Sequence, residues 1–392
     1  MSGKLLFIAT EDWFFASHFL PMARAAREMG LEVVVVAREH QHRAAIANSG
    51  ARLVALNAER RSLSPRVLWK QLQDLRAILR YEQPEIVHCI ALKSIVMGGL
   101  AARLNGIERR IYALTGLGFL GAQSGLVGAF ARKMVIIGLN LALHGNQVRY
   151  LFENSDDPVT LGLDPGDAAK VAYVGGAGVD PISLMPEPMP PQPPLKVAVV
   201  ARMLWSKGID LAVEAVTLAR ASGANVTLTL HGAPDPSNPK AVPLETLQEW
   251  GSRPGVTYAG PTRNVDGVWA THHVCCLTSR GGEGLPRTLL EGAACGRALL
   301  TTHVPGCRSF VRDGIDGYVV TADNAQATIK ALSKALIAFS RSPMLVEQMG
   351  ISARARLLDG HTERDVMDAV KTLYASMMAQ GPAGDDRPGI MA

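Results

Sequence analysis

The segment that most constrains the fold is residues 185–195, because six of its residues are proline. Proline fixes φ and has no amide hydrogen, so this segment suits neither a helix nor a central strand. On both sides of it, short apolar runs alternate with longer amphipathic stretches. We therefore interpret residues 185–195 as a linker between two domains, which also suits a chain of 392 residues.

The apolar runs predict buried parallel strands, and the amphipathic stretches between them predict crossover helices. The fold class is therefore α/β, with two doubly wound parallel-sheet (Rossmann-like) domains whose ligands bind at the carboxyl ends of the strands. The predicted strands are Leu5–Ala9, Val33–Ala37, Ile86–Cys89 and Arg110–Leu114 before the linker, and Val197–Val200, Val226–His231, Val256–Tyr258, Val274–Leu277, Ala298–Thr302 and Tyr318–Val320 after it.

These patterns also predict the domain boundaries. An N-terminal domain covers residues 1–184 and a C-terminal domain covers residues 196–361. A last amphipathic helix follows at 362–379. The Gly-, Pro- and Asp-containing residues 380–392 are typical of a disordered tail.

Charge and cysteine usage limit the partners and the compartment. Residues 1–149 carry a net charge of +9 and the remaining residues −4, which indicates that the N-terminal half contacts an anionic lipid surface or an acidic acceptor. Aromatic residues make up 5% of the chain, too few for the interleaved aromatic and basic pattern of a nucleic-acid-binding face. Five cysteines without ligand spacing favour a reducing cytoplasm, and we expect neither a signal peptide nor a transmembrane helix.

The stretch from Ser279 to Ala294 contains two acids, Glu283 and Glu291, with seven residues between them across a loop that runs into a helix. The acid in the loop can face a sugar ring, and the acid in the helix can accept hydrogen bonds from ribose hydroxyls. The helix start between them offers unpaired N–H groups and a positive dipole end, which suit a diphosphate. Pro286 fits that start, where a missing N–H costs nothing.

A second motif follows the first strand of the C-terminal domain, where Arg202 is followed by Lys207 and Gly208. Arginine can bind a diphosphate through a forked pair of hydrogen bonds, and lysine acts as a point charge. Gly232 comes directly after a predicted strand, where glycine lets the backbone approach a ligand.

The Glu-x7-Glu and Arg-x4-Lys-Gly patterns together resemble the donor-binding signature of retaining glycosyltransferases with the GT-B fold, of the family 4 type. The resemblance covers roughly residues 4–378 and implies a nucleotide-sugar donor in the C-terminal domain. It also implies that the last helix, residues 362–379, is a crossover helix that packs back on the N-terminal domain. It implies that Arg202 and Lys207 stabilise the leaving diphosphate, that Glu283 orients the donor sugar, and that Glu291 holds the ribose. Gly284, Leu285 and Gly232 are the further implied donor-binding residues. The segment Thr301–Arg308 resembles the family's Thr-x-x-x-Gly-Gly segment, with Pro305 in place of one glycine.

No metal or other cofactor is expected. The sequence lacks an Asp-x-Asp motif, which fits the metal-independent class that the resemblance implies. His272 and His273 are adjacent but have no third ligand nearby in the pattern.

The N-terminal domain contains three segments that resemble the acceptor side of the same family, in particular bacterial hexosyltransferases that extend undecaprenyl-diphosphate-linked sugars. Each segment follows a predicted strand, so all three would converge at one sheet edge. The implied acceptor-binding residues are Trp13, Ser17 and His18 in the first segment, His88 and Lys93 in the second, and Thr115 and Gly116 in the third. Many family members have a histidine where this chain has Thr115. Retaining transfer, in which the diphosphate takes the acceptor's proton, does not require a dedicated base.

Two basic stretches favour a peripheral position at the cytoplasmic face of the membrane. Residues 124–143 are strongly apolar with Arg132 and Lys133 in the middle, which predicts an interfacial segment, although a buried crossover helix has the same pattern. The helix predicted at Val67–Arg80 adds further cations to the same domain.

The sequence thus predicts a retaining, metal-independent glycosyltransferase that moves a hexose or N-acetylhexosamine. The donor is a nucleotide sugar, predicted to be a UDP-sugar, and the acceptor is a polyprenyl-diphosphate-linked sugar of surface polysaccharide or glycan assembly. A soluble transferase that acts on a small acceptor, a nucleotide-sugar 2-epimerase of the same fold, and a non-enzymatic binding module are the alternatives. The pattern lacks the carboxylates and histidines that an epimerase needs beside C2.

Overall fold

The computed structural model describes residues 3–56, 64–116, 145–235, 238–321 and 324–379. Within these ranges the chain forms two compact units. The first comprises residues 3–56, 64–113, 145–150 and 367–379. The second comprises residues 114–116, 151–235, 238–321 and 324–366.

The first sheet has seven strands. They are β1 (Lys4–Glu11), β2 (Glu32–Arg38), β3 (Ala51–Ala55), β4 (Ile86–Ile90), β5 (Arg110–Leu114), β6 (Val148–Phe152) and β7 (Val171–Tyr173). Their order is β3-β2-β1-β4-β5-β6-β7, and β1 pairs in parallel with both β2 and β4. Strands such as β2, with four consecutive valines, are buried on both faces, as a sheet covered by helices requires.

The second sheet has six strands. They are β8 (Leu195–Val200), β9 (Val226–His231), β10 (Val256–Gly260), β11 (Val274–Leu277), β12 (Ala298–Thr302) and β13 (Gly317–Val320). Their order is β10-β9-β8-β11-β12-β13, and all five pairings are parallel. Together the two sheets confirm the predicted fold class.

Helices follow most strands of the described chain. They are α1 (Asp12–His18), α2 (Leu20–Glu28), α3 (Arg43–Asn48), α4 (Pro65–Glu82), α5 (Ala91–Leu104), α6 (Asp156–Thr160), α7 (Ile209–Ala221), α8 (Leu244–Gly251), α9 (Val265–Thr271), α10 (Arg287–Ala294), α11 (Pro305–Arg308), α12 (Ala325–Arg341), α13 (Pro343–Leu358) and α14 (Glu363–Ala379). Helix α7 buries Ile209, Val213 and Val216 in the core of the second unit, at the spacing of one helix face.

Three strands are absent from the sequence prediction. Strand β3 is short and half exposed, β7 has three residues, and β6 contains Arg149 inside an otherwise apolar run. Each therefore lacks the continuous apolar pattern of a buried strand. The predicted linker was one residue too long, because Leu195 is fully buried and begins β8.

Helix α14 contributes residues 367–379 to the first unit. There the Tyr374 hydroxyl lies 3.1 Å from His88 Nδ1, and Lys371 forms an ion pair with Glu28. Residues 151–184, which the sequence analysis assigned to the N-terminal domain, belong to the second compact unit. The functional domain boundaries stay a prediction.

No helix within the described ranges is long and apolar enough to cross a bilayer. The predicted interfacial segment at 124–143 and the predicted tail at 380–392 lie outside the described residues.

Candidate active site

The second sheet has its topological switch point between β8 and β11, where the strand order reverses. In open α/β sheets, ligands bind in the crevice outside the carboxyl ends of the strands at such a point. The loop after β8 contains Arg202 and Lys207, and the loop after β11 contains Ser279 and Glu283. Strand order therefore brings the two donor motifs together, although they are far apart in the sequence.

Gly208 holds the β8 loop against the end of β11. It has φ +63° and ends the 3₁₀ turn Trp205–Lys207. A Cβ at this position would lie 2.0 Å from the carbonyl oxygen of Thr278, and the Thr278 hydroxyl donates to the Gly208 carbonyl at 2.7 Å. The glycine of the Lys-Gly pair is therefore required for the close approach that places Lys207 in the crevice.

Lys207 and Glu283 form the centre of the site. Lys207 Nζ lies 2.7 Å from Oε1 and 2.8 Å from Oε2 of Glu283, and the Ser279 hydroxyl donates to Oε1 at 2.6 Å. The two charged side chains are 18% and 12% exposed, so the pair is shielded from water but opens to the crevice. A carboxylate held by two donors is fixed in position before any ligand arrives.

Arg280 ties the β11 loop to helix α7. Its guanidinium donates two hydrogen bonds to the Asp210 carboxylate, at 2.7 and 2.6 Å, and a third to the Trp205 carbonyl at 2.7 Å. Its own amide donates to the Ser206 carbonyl at 2.8 Å. The loops of the two donor motifs are thereby bound to each other by backbone and side chain.

Three glycines let three chain segments cross at the Glu283 turn, all within the second unit. A Cβ on Gly116 would lie 2.3 Å from the Gly284 nitrogen, and a Cβ on Gly306 would lie 1.3 Å from the Gly284 carbonyl oxygen. A Cβ on Gly284 itself would lie 2.6 Å from the Thr115 carbonyl carbon. Real Cβ atoms do not approach other atoms so closely, so each position requires glycine. Pro305, which replaces a family glycine, occupies the first turn of α11, where proline is favourable.

Glu153 also contacts this turn. It follows β6, and its Oε2 accepts the Leu285 amide hydrogen at 2.6 Å. The Leu285 side chain is buried and packs over Gly176, where a Cβ would lie 2.9 Å from Leu285 Cδ2. The Leu285 side chain therefore has a structural role, and its backbone amide binds the Glu153 carboxyl.

Glu291 lies in the second turn of α10 and is buried. Arg287 Nε donates to its Oε1 at 2.8 Å. Burial raises the pKa of the Glu291 carboxyl, and the Arg287 charge opposes that rise. A ligand hydroxyl that donates to this carboxylate would restore part of the solvation that burial removes.

Arg202 and Gly232 both lie at the carboxyl edge of the second sheet, but one is exposed and the other is packed against backbone. Arg202 is exposed, with Nη1 4.0 Å from Asp235 Oδ2. Gly232 has φ +153°, and a Cβ there would lie 1.8 Å from the Ala201 carbonyl oxygen. The glycine is therefore required for backbone packing at the ends of β8 and β9, whether or not a ligand binds beside it.

In the first unit, the loop after β1 becomes helix α1, which contains three of the predicted acceptor-binding residues. The Ser17 hydroxyl donates to the Phe14 carbonyl at 3.0 Å and lies 2.6 Å from His18 Nδ1. Trp13 packs edge-on against Phe14, with ring centroids 5.8 Å apart. All three residues are partly exposed at the carboxyl end of β1, beside the switch point with β4.

Of the two predicted acceptor-binding residues in and after β4, His88 is buried and Lys93 is partly exposed. His88 lies within β4, is fully buried and packs on Phe7 with ring centroids 4.9 Å apart. Burial lowers its pKa to about 3, so the ring is neutral. An acceptor can contact it only if the core opens, and its acceptor role stays a prediction. Lys93 is partly exposed in the first turn of α5, two residues after Ala91, whose φ of +65° is uncommon for a residue with a Cβ.

A carboxylate–histidine cluster beside α1 was absent from the site prediction. Asp12 is fully buried, and its Oδ2 accepts the amide hydrogens of His40 and His42 at 2.7 and 3.1 Å. Glu11 Oε2 lies 2.8 Å from His40 Nε2. These contacts fix the loop after β2 against the start of α1. No group of three or more His, Cys, Asp or Glu in the described parts of the chain could hold a metal ion.

Sequence reasoning also missed Glu153, Arg280 and Asp210 as members of the donor-side cluster. Glu153 follows β6, a strand that the apolar pattern did not reveal. Arg280 and Asp210 lie inside the two motifs, but their pairing depends on which loops meet.

Two family models match the chain. One, described as "Glycosyl transferase 4-like", matches residues 4–148, and the other, described as "Glycosyl transferases group 1", matches residues 194–337. The two matches lie on either side of residues 149–193, which contain most of the proline-rich segment that precedes β8. They assign the donor-motif residues from Arg202 to Glu291 to the group 1 model.

Two relatives of described function are similar in sequence. The Campylobacter jejuni N,N'-diacetylbacillosaminyl-diphospho-undecaprenol alpha-1,3-N-acetylgalactosaminyltransferase is 25% identical over 332 residues, which cover 81% of this chain and 85% of the relative. A phosphatidylinositol N-acetylglucosaminyltransferase component from Arabidopsis thaliana is 30% identical over 179 residues, which cover 45% of this chain and 38% of the relative.

Solved structures share the two-sheet architecture. Anabaena Alr3699/HepE in complex with UDP and glucose matches with a TM-score of 0.70 at 15% identity, over 95% of this chain and all (100%) of that chain. Sucrose-phosphate synthase from Thermosynechococcus elongatus matches with a TM-score of 0.73 at 16% identity, over 96% and 99% of the two chains. At these identities the similarity shows the fold alone.

Proposed function

Because this chain belongs to the GT-B glycosyltransferases, with a family 4-like domain followed by a group 1 domain, we propose that it is a retaining hexosyltransferase. The donor is a UDP-sugar, and the sugar transferred is a hexose or an N-acetylhexosamine. The acceptor is a sugar linked to polyprenyl diphosphate, in the assembly of a bacterial surface polysaccharide or glycan.

The observation that carries this proposal is the contact of Lys207 with Glu283 at the switch point of the second sheet. In the ligand-free protein the lysine neutralises the carboxylate. When a donor binds, its diphosphate attracts Lys207 more strongly than one carboxylate does, since it carries more negative charge. Glu283 then loses its contact with Lys207, keeps the hydrogen bond from Ser279, and faces the sugar.

The transfer breaks the bond between the anomeric carbon and the diphosphate oxygen and forms a bond from that carbon to an acceptor hydroxyl oxygen. The acceptor's proton passes to the leaving diphosphate, so no protein base is consumed. Negative charge develops on the diphosphate and positive charge on the sugar ring. Lys207 and Arg202 stabilise the first, and Glu283 stabilises the second. The mechanism requires no metal ion or other cofactor.

Two further residues hold the nucleotide. Glu291 accepts hydrogen bonds from the ribose hydroxyls, and its pairing with Arg287 loosens to allow this. The turn at Gly284 and Leu285, directly before α10, lies beside the diphosphate, where the positive end of the helix dipole favours an anion. Gly232 supports the crevice wall through its contact with Ala201.

The acceptor proposal rests on the first unit. The Campylobacter jejuni relative has a diphospho-undecaprenol-linked saccharide in its name, and it aligns with most of this chain. We infer that Trp13, Ser17, His18 and Lys93 contact the acceptor sugar and its diphosphate. We also propose that Thr115 and Gly116 bind the acceptor, and the contact of their backbone with the Glu283 turn supports a place for them beside the donor sugar.

A polyprenyl acceptor requires the protein to work at a membrane, and helix α4 offers a suitable surface. Its outer face exposes Trp69 (64%) and Tyr81 (85%) together with the cations Arg66, Lys70 and Arg80. Aromatic rings insert at the headgroup level, and cations bind anionic lipid. We propose that this face places the enzyme on the inner surface of the cytoplasmic membrane as a peripheral protein.

Thermal unfolding with UDP, GDP, ADP and buffer tests the donor assignment. A ligand at about 100 times its Kd adds roughly 2.7 kcal/mol to the stability of the unit that binds it, enough to raise Tm by several degrees. We expect a rise with UDP that is lost in Glu291→Ala. A rise with GDP alone would replace the UDP assignment, and no response to any nucleotide would contradict the transferase proposal.

A further inference from the structure

Glu153 is held in a defined position by the residues that follow it. Asn154 Oδ1 accepts the amide hydrogens of Asp156 and Asp157 at 3.1 and 3.0 Å, and Asn154 Nδ2 donates to Asp157 Oδ2 at 3.0 Å. This arrangement fixes the start of α6 directly after β6. The backbone of Glu153 therefore has little freedom, and its side chain is directed at the Glu283 turn.

The Glu153 carboxyl makes a close contact that depends on a glycine. Its Oε2 accepts the Leu285 amide hydrogen at 2.6 Å, and a Cβ on Gly284 would lie 2.0 Å from the same oxygen. Any residue other than glycine at 284 would displace the carboxyl. The carboxyl and the turn are thus fitted to each other, and the bond is short for an amide donor.

Leu285 is two residues after Glu283 and two residues before the start of α10. A bond that fixes its amide therefore fixes the turn that presents Glu283 to the crevice. We propose that Glu153 is a positioning residue of the donor site, which holds the Glu283 turn through the Leu285 amide. Its effect on donor binding rests on the proposed function, whereas its effect on the turn does not.

Glu153 is a neutral acid at pH 7, chiefly because of its burial. Burial, with smaller contributions from the carboxylates of Asp157 and Glu283, raises its pKa to about 8 against the opposing effect of the Leu285 amide. The cations nearby are engaged with other acids, Lys207 with Glu283 and Arg308 with Asp156. At pH 7 the carboxyl therefore accepts the amide bond without adding a negative charge beside the diphosphate.

Deprotonation changes this arrangement. Because the pKa of Glu153 is higher in the folded protein than in the unfolded chain, its contribution to stability is present at low pH and is lost as pH rises through about 8. Above that pH a second carboxylate lies beside Glu283 and repels the donor's phosphates. The terminal phosphate of UDP ionises near the second pKa of about 6 of a phosphate monoester, so it is already ionised there and adds little change of its own.

Hydrogen–deuterium exchange of the ligand-free protein tests the positioning role. Peptides that cover residues 279–290 are followed in the wild type, Glu153→Gln, Glu153→Ala and the control Glu347→Gln, an exposed glutamate on α13. We expect Glu153→Ala to speed exchange there by about tenfold, because the Leu285 amide loses its acceptor. Glu153→Gln retains an acceptor oxygen, so it and the control should match the wild type. Wild-type exchange in Glu153→Ala would overturn the proposal.

UDP titration at pH 7 and pH 9 tests the donor-site consequence. The wild type should bind UDP several-fold more weakly at pH 9 than at pH 7. Glu153→Gln, whose side chain cannot ionise, should bind UDP with the same affinity at both pH values. The same alkaline loss in Glu153→Gln would overturn the role of this carboxyl in donor binding. A wild type that does not bind UDP would instead contradict the proposed function, and the exchange experiment would still decide whether Glu153 positions the turn. If Glu153→Ala does not fold, the UDP affinities of the wild type and Glu153→Gln at pH 7 and pH 9 still decide whether this carboxyl acts in donor binding.

Discussion

Lys207 and Glu283 are 76 residues apart in the sequence, and Lys207 Nζ lies within 2.8 Å of both carboxylate oxygens of Glu283. Each side chain belongs to a different loop, after β8 and after β11, and those strands are neighbours in the sheet. The contact keeps two opposite charges together, and both side chains are largely shielded from water. A bound donor would separate them, with the lysine at the diphosphate and the glutamate at the sugar.

Glu283→Gln should reduce turnover far more than it weakens nucleotide binding, because the carboxylate acts on charge that develops in the sugar. By analogy with the loss of one charge-stabilising group, we expect a decrease in kcat of about 10²–10³-fold. The affinity for UDP should change little, since UDP lacks the donor sugar that Glu283 is proposed to contact. Calorimetric UDP titration and a transfer assay measure the two effects. Full activity in the variant would contradict the assignment.

Glu291→Ala should weaken UDP binding, because it removes the buried carboxylate that we propose accepts hydrogen bonds from the ribose. Hydrogen bonds to charged groups contribute about 1.5–3 kcal/mol, which corresponds to a loss of affinity of roughly 10–100-fold. Glu347→Ala removes an exposed glutamate from another helix of the same unit and serves as the matched control. Equal UDP affinity in both variants would show that Glu291 does not hold the nucleotide.

Gly306→Ala should destabilise the second unit and disrupt the Glu283 turn, since the added Cβ would lie 1.3 Å from the Gly284 carbonyl oxygen. Backbone must move to relieve this clash, and overpacking of this kind costs about 1–3 kcal/mol. Gly166 is exposed, and a Cβ there meets its nearest atom at 3.4 Å, so Gly166→Ala is the control. Thermal unfolding of both variants measures the difference. Equal Tm values would mean that the turn is not packed as described.

Reversal of two charges on α4, in Lys70→Glu/Arg80→Glu, should reduce binding to vesicles that contain phosphatidylglycerol. Each cation near an anionic surface contributes about 1 kcal/mol, so the double reversal should lower binding by more than tenfold. Lys330→Glu/Lys334→Glu on α12 makes the same change in exposed lysines of the second unit. Sedimentation with anionic and with neutral vesicles measures the binding of the α4 variant and of the α12 variant. An equal loss in both variants would indicate a general charge effect instead of a surface on α4.

His88 should make the first unit less stable in acid. Its pKa is about 3 in the folded protein, below the ordinary histidine value, so below pH 6.5 the unfolded chain binds a proton that the folded protein does not. The unfolding free energy then falls by up to about 1.4 kcal/mol for each pH unit. His88→Gln does not titrate, so the stability difference between wild type and variant should narrow from pH 7 to pH 4. If His88 were accessible to water, urea unfolding from pH 7 to pH 4 would show a constant difference in unfolding free energy between the wild type and His88→Gln.

Local patterns were sufficient for most of the fold. Four of the ten predicted strands, Arg110–Leu114, Val226–His231, Val274–Leu277 and Ala298–Thr302, match the observed bounds. They succeed because continuous apolar runs between turn residues form buried parallel strands in almost any context. β3, β6 and β7 escaped prediction because each is short, half exposed or interrupted by a charge, and the partner strands that stabilise them lie elsewhere in the sequence.

The sequence by itself determined two α/β domains, the proline-rich segment between them, and the loops that contain the proposed site residues, because residue periodicity and glycine and proline positions act over a few residues. Only the tertiary structure decided that Lys207 neutralises Glu283, that Glu153 holds the Leu285 amide, and that His88 is buried in the core. These relationships depend on the order of strands in a sheet and on which side chains are removed from water. Neither the strand order nor the burial of a side chain can be read from neighbouring residues, since both arise when distant segments pack.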